Sequence, residues 1–228
     1  MRSFFVPLFL LMGASTGFAQ ESIKVAVLKQ PPPESIATPI RSDLNGQGYR
    51  IQDDQGRTFA DIWLRKAIPS SEKPSEPKGA ILFPFLADGE MVGVLQFATA
   101  GHDYRDQPIA KGVYTMRYGL QPVNGDHLGV STYRDYSLLS PVAKDQSPAI
   151  PARKELETKS ALAAGTSHPA VLILNEATPL AAKAIPTMIR DAEKNTWSVA
   201  IPLNISVNGK TDPIVQPVLL VVVGAAPV

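Results

Sequence analysis

Trp197-Ser198-Val199-Ala200-Ile201-Pro202-Leu203 is the stretch whose reading decides the fold. Its large apolar side chains fall strictly on alternate positions, the period of a strand with one face on a core. Pro202 lacks the donor that a ladder requires, so an edge strand or a bulge is expected there. Downstream, Pro217 to Val228 is strongly apolar (Val218-Leu-Leu-Val-Val-Val223) but is interrupted by Gly224 and Pro227. It is too short to cross a bilayer, which takes roughly 20 residues, and it reads as a buried central strand.

Upstream, the same period recurs. In Val113 to Tyr118, Tyr114, Met116 and Tyr118 share one face and Val113, Thr115 and Arg117 the other. The aromatic face is expected inward, because a charged arginine is rarely buried unpaired. Further strand-like runs are 23–27, 91–97, 132–139, 170–174 and 184–189, and Tyr49–Ile51 and Phe59–Leu64 flank the turn Asp53-Asp54-Gln55-Gly56. Residues 34–48 are polar with a turn at 43–46. Residues 69–79, with three prolines and four charges, read as an exposed loop. Pro151 to Ala164, closed by Gly165, is the only helix signal. The expectation is an all-β fold, or a β-rich one with a single short helix around 151–164, built as an antiparallel β-sandwich, with a barrel as the neighbouring solution. A parallel α/β sheet would need a helix after nearly every strand, and the connections are too short and proline-rich.

The first nineteen residues carry the three parts of a signal peptide: Arg2, the apolar run Phe4–Met12, and small residues in Gly17-Phe18-Ala19. Cleavage after Ala19 is expected, leaving residues 20–228 as one domain, periplasmic or secreted. The apolar run is about half of what a membrane anchor needs. The chain has no cysteine, which excludes disulfides, lipid attachment, thiol nucleophiles and thiolate zinc sites. Lys and Arg total 22 and Asp and Glu 21, and Arg2 leaves with the leader. No overall field steers such a chain to nucleic acid or an anionic membrane.

Chemistry-bearing residues concentrate in 101–136. His102 and His127 each stand beside an aspartate, and with Asp103, Asp106 and Asp126 they form a candidate set for zinc, manganese or iron, so a divalent metal is the one cofactor considered. No His-x-His or His-x-x-x-His pair fixes two ligands locally. The competing reading has the aspartates shaping turns and the histidines in solvent. A triad of Ser131, His127 and Asp103 lacks the Gly-x-Ser-x-Gly elbow. Phosphate-cradling loops are absent, and 43–46 is too poor in oxygen ligands for a calcium loop. Paired carboxylates for glycoside cleavage need a spatial separation that sequence does not reveal. Trp63, Tyr104 and Tyr133, with Tyr118, Tyr136 and Trp197 behind them, are candidates for an aromatic platform facing a sugar.

Tyr104-Arg-Asp-Gln-Pro-Ile-Ala-Lys-Gly-Val-Tyr-Thr-Met-Arg-Tyr118, continued by Gln121-Pro-Val-Asn-Gly-Asp-His127 and Arg134-Asp-Tyr136, resembles uncharacterised secreted bacterial proteins of a domain-of-unknown-function family. Tyr49–Arg65 and Ser167–Ala170 are similar to the same group, and Met116 stands where leucine is expected. The resemblance implies an exported β-sandwich and carries over no functional residue. The leading expectation is therefore a binding or interaction module without catalysis, with a small molecule, glycan or protein as partner. The rivals are a metal-dependent enzyme or carrier and a carbohydrate-binding module.

Overall fold

The computed structural model describes residues 22–123 and 131–224. Among these residues are strands β1 (Lys24–Leu28), β2 (Gly48–Gln52), β3 (Thr58–Leu64), β4 (Ile68–Ser70), β5 (Met91–Phe97), β6 (Gly101–His102), β7 (Pro108–Ile109), β8 (Gly112–Leu120), β9 (Asp135–Pro141), β10 (Val171–Glu176), β11 (Thr187–Asp191), β12 (Thr196–Val207) and β13 (Ile214–Val223). Three helices join them: α1 (Thr38–Asp43), α2 (Arg153–Ala164) and α3 (Pro179–Lys183). Ala19, Asp126 and His127 lie outside the described residues. No helix among the described residues is long and apolar enough to cross a membrane.

Ten strands form one path, β1-β2-β3-β5-β8-β9-β10-β13-β12-β11, antiparallel throughout. β4 joins β12 in parallel, which makes the sheet mixed. The path curls until its two ends, β1 and β11, have Cα atoms within 8 Å of each other. Strand alternation then points one face of each strand into a shared interior: Ile51, Ile62, Leu95, Tyr118, Leu139, Leu172, Ile201 and Leu220 belong to one buried cluster. Each such side chain contributes about 1.5–3 kcal/mol on burial. The β-rich expectation holds; the described strands form one large curled mixed sheet and a separate β6–β7 pair, and the parallel β4–β12 ladder departs from the purely antiparallel sandwich that was expected. Alternation specifies an inward face for each strand. It does not say whether those faces belong to two sheets or to one that bends round.

The outer face is covered in two places. Residues 28–44, including α1, lay Leu28, Ile36, Ile40 and Leu44 over Trp63, Met91 and Val94. α2 lays Leu156 over Tyr136, Leu138 and Ile173. α2 ends where the sequence says it should, with Gly165 left-handed at φ 63°. α1 and α3, of six and five residues, are too short to show a helical period, which is why one helix was expected and three are present.

Two local expectations have informative outcomes. Tyr114, Met116 and Tyr118 do face the core, yet Arg117 on the opposite face is also fully buried, beneath residues 141–150. It is not unpaired: Asp145 accepts from it, as do the Gly89, Ser147 and Ala149 carbonyls. Pro202 faces Pro217 across β12 and β13, a pair with no N–H to exchange. On its other side Pro202 falls in the gap between the β11 pairing, which stops at Ala200, and the β4 pairing, which starts at Ile205. The strand is interior to the sheet, but at Pro202 it is locally an edge.

Candidate functional site

A groove of about 570 Å³ lies between α2 and the outer face of β9 and β10. Leu156, Ser160, Ala163 and Ala164 are the buried positions of α2. Lys154, Glu157, Thr158, Ala161 and Leu162, three to four residues apart, make the helix wall of the groove. Tyr136, Val171 and Ile173 are its floor, and Arg105, Arg153 and His168 stand with Lys154 around it. Leu162 is 55% exposed, an apolar side chain left in the opening.

Arg153 ties the wall to the floor. Its Nε donates to Glu157 Oε1 at 2.6 Å, its Nη1 to both Asp88 oxygens at 2.9 and 2.7 Å, and its Nη2 to the Tyr136 phenol oxygen at 2.8 Å. Burial lowers the affinity of this guanidinium for its proton, but the contacts with Glu157, Tyr136 and Asp88 more than offset that, and it stays charged. Burial pushes the Tyr136 phenol up to about 12, with Arg153 pulling the other way. Tyr136 is therefore a neutral hydroxyl at physiological pH.

Asp103 is fully buried and serves the groove indirectly. Its Oδ1 accepts from the backbone N–H of Arg105 (2.9 Å) and Gln107 (2.8 Å), and its Oδ2 from Gln107 Nε2 (2.8 Å) and the Val171 N–H (3.0 Å). One carboxylate thus closes the β6–β7 hairpin, pins it to β10 and fixes the backbone from which Arg105 reaches the groove.

These positions rearrange the candidate set read from sequence. Asp103 has both oxygens engaged and turned away from solvent, so it does not stand as a metal ligand beside His102. His102 and Asp106 do approach, Nδ1 to Oδ1 at 4.0 Å, with both side chains largely in solvent. Among the described residues no three His, Cys, Asp or Glu converge as a metal site would require. Trp63 is 2% exposed with its Nε1 donating to the Gln30 carbonyl, and Tyr104 is 6% exposed. Neither presents a ring face to a sugar, because α1 and the β6–β7 hairpin place them in outer-face clusters. Tyr133 stays exposed and lines a smaller cleft of about 290 Å³ with Asn175, Asp191 and Ser198; that cleft shares Ile173 with the groove. Half-buried Trp197 lies under the Arg190 guanidinium, 5.7 Å from the ring centre.

Sequence reasoning missed the α2 wall. One signal was present: Leu156 and Leu162 are six residues apart, which places them on different sides of a helix, so one of the two had to lie off the face packed on the sheet. Comparison with protein-family models, with curated proteins and with solved structures returned no match.

Proposed function

We propose that this chain is an exported binding protein that holds a small amphipathic molecule in the α2 groove, without catalysis. The leader-like start and the resemblance to secreted bacterial proteins support export, and the curled sheet serves the scaffold role expected of a sandwich. The observation that carries the reading is the groove's make-up. An apolar floor of Val171 and Ile173 and the exposed Leu162 meet a few convergent polar groups, Tyr136, Arg153, Arg105 and Lys154. Ligand pockets of roughly 300–1,000 Å³ combine an apolar lining with sparse oriented polar groups in this way. Titration with the neutral dye Nile red tests it. Saturable binding is expected, weakened at least about tenfold by Leu162→Glu, a change on an exposed helix position. No binding, or equal binding by both proteins, overturns the reading.

The Tyr133 cleft favours a second reading as a glycan site, since an exposed ring there adjoins Asn175, Asp191 and Ser198. A glycan array on which Tyr133→Ala loses a signal seen with the parent supports it, and no signal removes it.

A further inference from the structure

We infer that the α2 groove selects an anionic amphiphile, a monocarboxylate of fatty-acid type, over its neutral counterpart; the inference rests on the groove being a binding site. The charge around the groove is one-sided: Arg105, Arg153 and Lys154 line it against the single carboxylate of Glu157. The whole chain carries a formal net charge of only +1, so this excess is a matter of placement. Arg153 and Glu157 satisfy each other, with Asp88 as a further partner. Arg105 and Lys154 have no ion-pair partner among the described residues, and the exposed His168 stands beside them.

Tyr136 adds a donor. Its oxygen accepts from Arg153, and its own hydrogen has no acceptor among the described residues, although the residue is only 6% exposed. A buried donor without an acceptor is costly, and a ligand oxygen in the groove would relieve it. Because burial keeps the phenol protonated well past neutral pH, it is still a donor at the neutral pH where the ligand's carboxyl is ionised. Two cations and one hydroxyl suit the two oxygens of one carboxylate, whose bonds to such donors are charge-assisted. Val171, Ile173, Ala161 and Leu162 leave the rest of the space to an apolar body. The Arg105 backbone is held in advance by the Asp103 turn, so less main-chain ordering remains to be done on binding.

Displacement of Nile red by decanoate, decanol and decyl phosphate tests the inference on the intact protein at low salt. Decanoate is expected to compete at least about tenfold better than decanol. In the double variant Arg105→Gln, Lys154→Gln, with Nile red affinity measured separately for each protein, the preference for decanoate over decanol should collapse, and a preference unchanged from the parent overturns the charge selection. Equal competition by decanoate and decanol overturns the charge selection and leaves the groove reading standing. Tighter competition by decyl phosphate overturns the carboxylate assignment, and Nile red that binds but is displaced by neither decanoate nor decanol overturns the ligand class. If Nile red does not bind at all, the groove reading itself fails.

Discussion

Arg117 and Asp145 form a bidentate ion pair inside the protein, Nε to Oδ2 at 2.6 Å and Nη2 to Oδ1 at 3.0 Å, with both side chains almost wholly out of solvent. The pair fastens residues 141–150 to β8. That segment leads directly into α2, so the position of the groove wall depends on it. Removing one partner leaves the other buried without its main counter-charge: Asp145 keeps the Thr115 hydroxyl and the more distant Lys159 Nζ at 4.0 Å, and Arg117 keeps backbone carbonyls. Arg117→Met and Asp145→Asn should each cost about 3–5 kcal/mol in urea unfolding. The double variant Arg117→Met, Asp145→Leu should recover much of that loss, because two apolar groups leave no buried charge. A single variant within 1 kcal/mol of the parent (about one-fifth of that range) would show that the pair is not holding the segment.

Asp103 distinguishes a structural carboxylate from a metal ligand. Asp103→Ala strips the acceptor from three backbone N–H groups and the Gln107 amide. In chelator-treated protein it should lower unfolding free energy by at least about 2 kcal/mol, and it should weaken groove binding by releasing Arg105. A ligand role predicts the reverse pattern: metal-free stability unchanged, metal content lost.

The tyrosines set an alkaline limit. Burial raises the pKa of Tyr49, Tyr104, Tyr114, Tyr118 and Tyr136, Tyr118 furthest and Tyr136 to about 12. For Tyr118 the hydrogen bond to Asp135 adds to burial. The native state therefore holds protons that the unfolded chain gives up near pH 10. The stability these groups contribute is fully present below about pH 10 and drains as pH rises from there through the native values. Near-ultraviolet tyrosinate absorbance from these five groups should rise with unfolding rather than ahead of it. Tyr136→Phe should make the decline between about pH 10 and 12 shallower.

Much of this fold was legible because alternation is a local property. Trp197–Leu203, Met91–Phe97 and the hairpin around Asp53–Gly56 are strands and turn as read, and in that turn Asp53 Oδ1 accepts from the Gln55 and Arg57 N–H groups. What was not legible depends on which distant segment covers which face. Arg117 looks like a solvent-facing residue until residues 141–150 are laid over it. Trp63 looks like a platform until α1 is. The groove shares this difficulty: Arg105, Tyr136 and Leu162 are far apart in sequence and meet only because β9 and β10 are neighbours and α2 crosses β9. His102, Asp103 and Asp106 drew attention as chemically versatile residues close in sequence. Nearness in sequence instead made them a turn, with one aspartate inside and the other two side chains in water.

Gly93 offers a test of the curled sheet itself. It sits in β5 opposite Leu64 of β3 and Met116 of β8, beside a register shift at residues 91–93. A Cβ added there would lie 2.5 Å from the Trp63 carbonyl oxygen and 3.1 Å from both Leu64 Cα and Met116 Cε. The nearest two atoms in chain order are backbone, and β5 is held by ladders on both sides, so the strand cannot back away. Gly93→Ala should therefore cost about 1–3 kcal/mol by overpacking, despite alanine's smaller conformational entropy in the unfolded chain. Gly46, where an added Cβ meets nothing within 4 Å, is the control: Gly46→Ala should stay within about 0.5 kcal/mol of the parent. If Gly93→Ala unfolds at the same urea concentration as Gly46→Ala, β3 and β5 do not approach as closely as the curl requires.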